Sequence, residues 1–280
     1  MSGANPVRPI LTAAELRRVG ELLYRATGMT FGENKRYYIE RRVAERVAKT
    51  GLGNTAAYLL ALPALAGEME MLVNAFTVNE TYFYREEHQL KALGRAMLPG
   101  IVRNRRPGDL VRIWSLPCSS GEEPYSVAIW LLENWPMVDA WHIEIIGSDI
   151  DTTALTQAKA GRYGERALSR LPPAVRDRYF VPLSGLEWEI VDDLKESVEF
   201  RPVNLIDPMS MVRQGRFDVI FCRNLLIYFD DRSRRAAADL LFDSLNPGGY
   251  LCLGHTESMA RISDRFELVR LDDAIVYRRP

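Results

Sequence analysis

The chain has 280 residues, enough for one large core or a main domain with a smaller companion. Hydrophobic residues make up 47% and charged residues 26%, which excludes a disordered chain, and a net charge of −1 argues against wholesale nucleic-acid or membrane binding. Cys118, Cys222 and Cys252 are an odd number at no metal-ligand spacing and read as small buried hydrophobes in a reducing compartment, with no metal site. Met1 to Pro9 carries no apolar signal core, and no run is long enough to span a bilayer. The expectation is a cytoplasmic protein that is not an integral membrane protein.

The first stretch reads as all helix. Thr12-Ala-Ala-Glu15 is a capping-box pattern opening a helix that Gly28 closes. A second helix is predicted from about Glu33 to Lys49, with Ile39, Val43 and Val47 as its buried stripe. Lys35, Arg42, Arg46 and Lys49 fall on another face, which is either a solvated surface or a dock for an acidic partner. Helices over Asn54–Leu62 and Leu65–Phe76 follow. A polar and aromatic linker, Thr77 to Glu86, then leads into a helix over Glu87–Val102. The boundary is placed at 88/89.

From Leu110 strands alternate with helices, the signature of a parallel sheet. Strands are predicted at Leu110–Trp114, His142–Asp149, Val198–Val203, Phe217–Cys222 and Tyr250–Gly254, with Phe266–Arg270 and Ala274–Tyr277 as a closing pair. Helices are read over Thr152–Ala160 and Arg232–Leu245. Tyr179 to Val191 reads as a small antiparallel hairpin turning at Ser184-Gly185, and the excursion reaches about residue 195.

The centre of the pattern is 110–134: a buried strand, a loop of small residues at Cys118 to Gly121, and a helix opened by Glu122 and Glu123 with Pro124 in its first turn. A pyrophosphate site wants bare N–H groups at a helix N-terminus and no acid beside them. Two carboxylates suit a cationic ligand such as S-adenosylmethionine, or they merely complement the helix dipole. In open parallel sheets ligands bind beyond the carboxyl ends of strands, which here gives Glu122, Asp149, Asn204, Arg223 and Asn224. Asp149 suits the two ribose hydroxyls or a helix N-cap; Asn204 suits an adenine edge or a turn. His88, His142 and His255 are scattered and make no zinc spacing, and there is no G-x-S-x-G elbow or P-loop.

Residues Thr77–Glu86, Trp114–Ser126 with "CSSGEEPYS", Ser148–Asp151, Phe221–Phe229 with "FCRNLLIYF" and Gly254–Ser258 resemble the CheR family of chemotaxis receptor glutamate methyltransferases. The resemblance runs in order through nearly the whole chain. It implies a small all-helical domain before a Rossmann-like α/β methyltransferase domain, with a mostly parallel sheet, antiparallel closing strands and a β-subdomain excursion. It further implies that Asn79, Thr81, Arg85, Glu122, Asp149, Asn204, Leu205, Arg223 and Asn224 hold S-adenosylmethionine, whose product is S-adenosylhomocysteine. Arg85 and Tyr228 would act near the methyl group. Lys35, Arg42, Arg46 and Lys49 would meet the acidic methylation helices of chemoreceptors. Members that tether to a receptor's carboxyl-terminal pentapeptide carry a glycine-rich insertion in the β-subdomain loop; here that loop is only Leu183-Ser-Gly-Leu186, which predicts independence from the tether.

Two other readings compete. A methyltransferase acting on a base amine would show an N-P-P-Y-type wall after the fourth strand, and Asn224-Leu-Leu-Ile-Tyr228 lacks those prolines. A signalling module that binds the cofactor without turnover is the other, and Arg85 and Tyr228 stand against it.

Overall fold

The structure is a computed structural model that describes residues 11–32 and 35–280. Contacts divide the chain into two compact units. One holds the described residues up to Val78 together with Tyr228–Asp230; the other holds Asn79–Ile227 and Asp231–Pro280.

The first unit is built from α1 (Ala13–Thr27), α2 (Arg36–Thr50), α3 (Thr55–Ala61) and α4 (Glu68–Phe76). The Thr12/Glu15 capping box forms with both reciprocal bonds, and Gly28 closes α1 in the left-handed region. Val19, Leu23, Ile39, Val43, Leu72 and Phe76 make the core. Glu33, the start expected for α2, lies outside the described residues. Tyr228–Asp230 joins this unit: the Thr30 N–H donates to the Tyr228 carbonyl (2.9 Å), Met29 bridges Phe229, and the Tyr24 hydroxyl donates to Asp230 (3.0 Å).

Arg46 departs from the sequence reading. It is not a docking cation but is buried, 7% exposed, and its guanidinium donates to both oxygens of Glu68 at 2.9 and 2.6 Å. The Tyr58 hydroxyl donates to the same carboxylate (2.8 Å). The reason lies in the spacing: Ile39, Val43, Arg46 and Val47 stand at i, i+4, i+7 and i+8, so Arg46 shares the buried stripe of α2. Hydrogen bonds from Arg46 and Tyr58 hold the Glu68 carboxyl below its ordinary range.

The second unit opens with α5 (Glu87–Ala92), which continues through a π-helical turn at Leu93–Met97 into α6 (Leu98–Val102). Then come β1 (Leu110–Ser115), α7 (Glu122–Asn134), β2 (His142–Asp149), α8 (Thr152–Ala160), β3 (Arg162–Gly164), α9 (Glu165–Leu168) and α10 (Pro173–Tyr179). These lead to β4 (Phe180–Pro182), β5 (Glu187–Ile190), α11 (Asp192–Glu196), β6 (Val198–Pro202), α12 (Pro208–Val212) and β7 (Phe217–Cys222). α13 (Asp231–Asp243), β8 (Leu245–Leu253), β9 (Glu267–Arg270) and β10 (Ile275–Arg278) complete it.

The main sheet runs β6-β2-β1-β7-β8-β10-β9, parallel from β6 to β8 and antiparallel at β10 and β9. β7 is buried along its whole length, as a strand covered on both faces must be. β8 starts at Leu245, earlier than Tyr250, because Pro247-Gly248-Gly249 forms an irregularity in the register against β7 rather than a turn before the strand. The excursion is three-stranded, β3-β5-β4: Arg162–Gly164 adds a strand too short to show alternation in the sequence. All three cysteines are buried and free. Among the described residues no helix is long and apolar enough to cross a membrane.

Replacing Arg46 by alanine strands the Glu68 carboxylate in the helical unit, so Arg46→Ala is expected to cost about 3–5 kcal/mol in urea unfolding. A loss below about 1 kcal/mol, typical of a surface charge, would contradict the burial.

Candidate active site

The order of strands reverses direction between β1 and β7, because the chain leaves β1 toward β2 and β6 and later returns to β7 and β8. That topological switch point is where an open α/β sheet leaves a crevice beyond its carboxyl ends. The loops there carry most of the candidate residues.

Beyond β1 the chain turns through Leu116–Gly121. The Leu116 N–H donates to the Phe221 carbonyl (2.9 Å) and the Cys118 N–H to the Ser148 carbonyl (2.8 Å), so the loop is pinned to both neighbouring strands. Gly121, with φ of 94°, starts α7; a Cβ there would stand 2.9 Å from that of Ala158, so no other residue fits without a shift. Four non-glycine residues among those described have positive φ: Tyr84 (58°), Glu86 (54°), Ser119 (49°) and Asn224 (59°). All four sit in the 77–86 linker or the loops after β1 and β7. Backbone held in sparsely populated conformations gathers where a site over-determines it.

Asn79, Ser119, Asp149 and Asp151 form one polar cluster. The Ser119 N–H donates to Asp149 Oδ2 (2.7 Å) and its hydroxyl to Asn79 Oδ1 (3.1 Å), while the Asn79 amide donates to Asp151 (2.7 Å). Asp151, not Asp149, caps α8, accepting from the Thr153 and Ala154 N–H groups. Asp149 also accepts from the Asp151 N–H (2.9 Å), which leaves it further lone pairs. Burial pushes its carboxyl up to about 6. Asn204 stands one residue past Val203, whose N–H donates to the Asp149 carbonyl (3.0 Å), and its side chain accepts the Ile206 N–H (3.2 Å). Leu205 beside it is buried.

The two carboxylates that open α7 have different lives. Glu123 accepts from the Ser115 hydroxyl (2.7 Å) and from Arg223 Nη1 (2.8 Å). Glu122 is 4% exposed, accepts the Ser120 hydroxyl (2.8 Å), and has no cation within ion-pair distance among the described residues. Burial pushes its carboxyl up to about 7. A buried carboxylate without a cation fits a ligand that brings positive charge or several donors, and Asp149 fits a ligand with paired hydroxyls. Both requirements fit the chemistry of S-adenosylmethionine.

Arg223 is 5% exposed and ties segments together. Its Nη2 donates to the Arg85 carbonyl (2.8 Å) and lies 3.4 Å from Glu86, whose other oxygen meets His255 Nδ1 at 2.9 Å. Burial raises the Glu86 carboxyl, but Arg223 and His255 outweigh it and hold it below its ordinary range. The Arg85 side chain donates to the Glu80 carbonyl (2.8 Å) and lies over the Tyr82 ring. Thr81 lies in the same linker, half-buried.

Glu257 was not singled out by the sequence reading. Its carboxylate accepts the N–H groups of Asn224 (2.6 Å), Leu226 (2.7 Å) and Gly254 (2.9 Å), and so shapes the loop after β7. A Cβ on Gly254 would come within 2.8 Å of both Asn224 and Glu257. The only signal was an acid three residues after a strand-ending glycine.

In the helical unit, Lys35 Nζ lies 5.4 Å from the centre of the Tyr228 ring, so one expected docking cation meets an expected catalytic side chain. Arg42 is half-buried over Tyr38, and Lys49 is exposed.

An open sheet with this switch point, no G-x-G-x-x-G loop and a buried acid at the start of α7 fits a Rossmann-like domain of the S-adenosylmethionine-dependent methyltransferase class. Residues 14–77 match the family described as "CheR methyltransferase, all-alpha domain", and residues 79–275 match "CheR methyltransferase, SAM binding domain". The chain belongs to the CheR family, and its cofactor is S-adenosylmethionine. It is 44% identical over 273 residues to "Chemotaxis protein methyltransferase 2" of Vibrio cholerae, covering 97% of this chain and 94% of that one. It is 35% identical to "Chemotaxis protein methyltransferase" of Vibrio parahaemolyticus (94% and 96%) and 33% identical to "Chemotaxis protein methyltransferase Cher2" of Pseudomonas putida (91% and 94%).

The raised value of Glu122 sets a pH test. Its folded pKa lies above the unfolded one, so the folded chain binds more protons between about 4.5 and 7, and stability falls as pH rises through that window. Glu122→Gln is expected to raise the unfolding temperature of the ligand-free protein by several degrees at pH 8. Wild-type affinity for S-adenosylmethionine, measured by calorimetry, should weaken from pH 8 to 6.5, and the variant should bind weakly with no such step. A flat wild-type profile would contradict the role.

Proposed function

We propose that this chain transfers a methyl group from S-adenosylmethionine to glutamate side chains on the cytoplasmic methylation helices of chemoreceptors, without a pentapeptide tether. The observation that carries the reading is the identity to chemotaxis protein methyltransferases over almost the whole chain. The protein would act in the cytoplasm.

The cofactor supplies a methyl group activated by the positive sulfur that bears it. A glutamate side chain has a pKa near 4.3 and is already an anion at neutral pH, so the reaction needs no general base. What the protein must do is position a hydrated carboxylate and exclude water from it, and near-attack positioning is worth on the order of 7 kcal/mol or more. Arg85 would orient the carboxylate through its planar fork, since among the described residues one of its five donors is engaged, by the Glu80 carbonyl. Tyr228 would hold it by a hydrogen bond or wall the methyl path. Asn79, Thr81, Glu122, Asp149, Asn204, Leu205, Arg223 and Asn224 would line the cofactor site, with Arg223 acting through Glu123 and the Arg85 carbonyl.

On α2 the substrate dock would rest on Lys35, Arg42 and Lys49, without Arg46. Arg36 and Arg41 are paired along the helix with Glu40 and Glu45, and such exposed pairs are cheap to break. The β4–β5 turn, with nothing between Pro182 and Glu187 but Leu183-Ser-Gly-Leu186, supports tether independence.

With labelled S-adenosylmethionine and a chemoreceptor cytoplasmic fragment, the protein should place base-labile label on the fragment, equally with or without the receptor's last five residues. Alkali-stable label would contradict ester formation. Arg85→Ala should lower turnover at saturating substrate by about a hundredfold, and unchanged turnover would refute the orienting role. Arg42→Glu with Lys49→Glu should raise KM for the fragment severalfold and leave cofactor affinity alone, and wild-type activity should fall with added salt.

A further inference from the structure

A pocket of about 570 Å³ opens in the methyltransferase unit between the start of α13 and the loop after β8. Leu226, Ile227, Ala260 and Ile262 give it an apolar lining, and Arg234, Arg235 and Arg261 give it charge. Ile227 is 46% exposed.

The three arginines are not equivalent. Arg234 is committed: its Nε donates to the Leu226 carbonyl (2.9 Å) and it lies 3.4 Å from Asp231. Arg235 and Arg261 are exposed and, among the described residues, make no ion pair or side-chain hydrogen bond, although they come from two different elements. The Glu257 carboxylate that borders the pocket is occupied by the N–H groups of Asn224, Leu226 and Gly254 and cannot serve them. The pocket therefore holds two guanidinium forks that no described residue engages, beside the exposed Ile227 and the half-buried Ile262. Its complement is a segment that carries carboxylates and apolar side chains together.

We infer that this pocket is a docking site for an acidic amphipathic peptide segment, whose carboxylates meet Arg235 and Arg261 and whose apolar side chains cover Ile227 and Ile262. The inference rests on the reading of an acidic protein substrate, since Leu226 and Ile227 immediately precede Tyr228 in the chain. Nucleic acid is the poorer occupant: its backbone brings one charge per about 1.7 Å of duplex, and this pocket offers two free cations, an aliphatic strip and the Asp231 carboxylate.

The test uses the full chain and a fluorescein-labelled helical peptide with glutamate and leucine on adjoining faces. By anisotropy, Arg235→Glu with Arg261→Glu should weaken binding at least fivefold, Arg235→Lys with Arg261→Lys should retain most of it, and calorimetry should show unchanged affinity for S-adenosylhomocysteine. Peptide should slow amide exchange at 231–235 and 256–262 in the wild type and not in the glutamate variant. Wild-type binding by that variant overturns the inference. So does displacement of the peptide by a single-stranded oligonucleotide at lower concentration than by unlabelled peptide. A wild-type protein that shows these peptide effects yet forms no methyl ester on a receptor fragment supports the pocket and refutes the glutamate reading.

Discussion

A single buried guanidinium organises the crevice. Arg223, almost without solvent contact, must find negative partners at close range, because an unpaired buried cation costs several kcal/mol. It finds them in Glu123 at the start of α7, in Glu86 and in the Arg85 carbonyl. Three stretches distant in sequence are thereby drawn to the switch point between β1 and β7. The left-handed backbone at Tyr84, Glu86, Ser119 and Asn224 is held in the same neighbourhood, where such conformations persist only under constraint from their surroundings.

That constraint divides labour between residues that look alike. Glu122 and Glu123 are adjacent acids at one helix start, yet Glu123 neutralises Arg223 while Glu122 is left buried with no cation beside it among the described residues. A carboxylate kept desolvated in the ligand-free chain is a cost to the fold, of the kind that a ligand supplying positive charge would offset. Arg46 and Lys49 divide in the same way. One helix carries both, but Arg46 closes an internal pair with Glu68 and only Lys49 faces water.

The strands and their ends are legible in the sequence because periodicity and apolar runs report them directly. β2, α8 and β7 span the residues that the pattern marks, and the antiparallel closing pair falls where expected. β3 is too short to carry a pattern, and β8 hides its start behind Pro247-Gly248-Gly249, which reads as a turn and is an irregularity within the strand. That Glu122, Asp149, Asn204 and Asn224 follow the ends of parallel strands is likewise legible. What each of them bonds is not, since Arg46 with Glu68, Arg223 with Glu123 and Glu257 with the loop after β7 are tertiary pairings that no local spacing encodes.

If these loops form one cofactor pocket, ligand must reach them together. Amide hydrogen exchange with and without S-adenosylhomocysteine tests it most directly. Simultaneous slowing is expected at the 79–86 linker, the loop 116–122, residues 149–151, the 203–206 turn and the 222–227 loop. Slowing confined to one of these segments, or none, would contradict it.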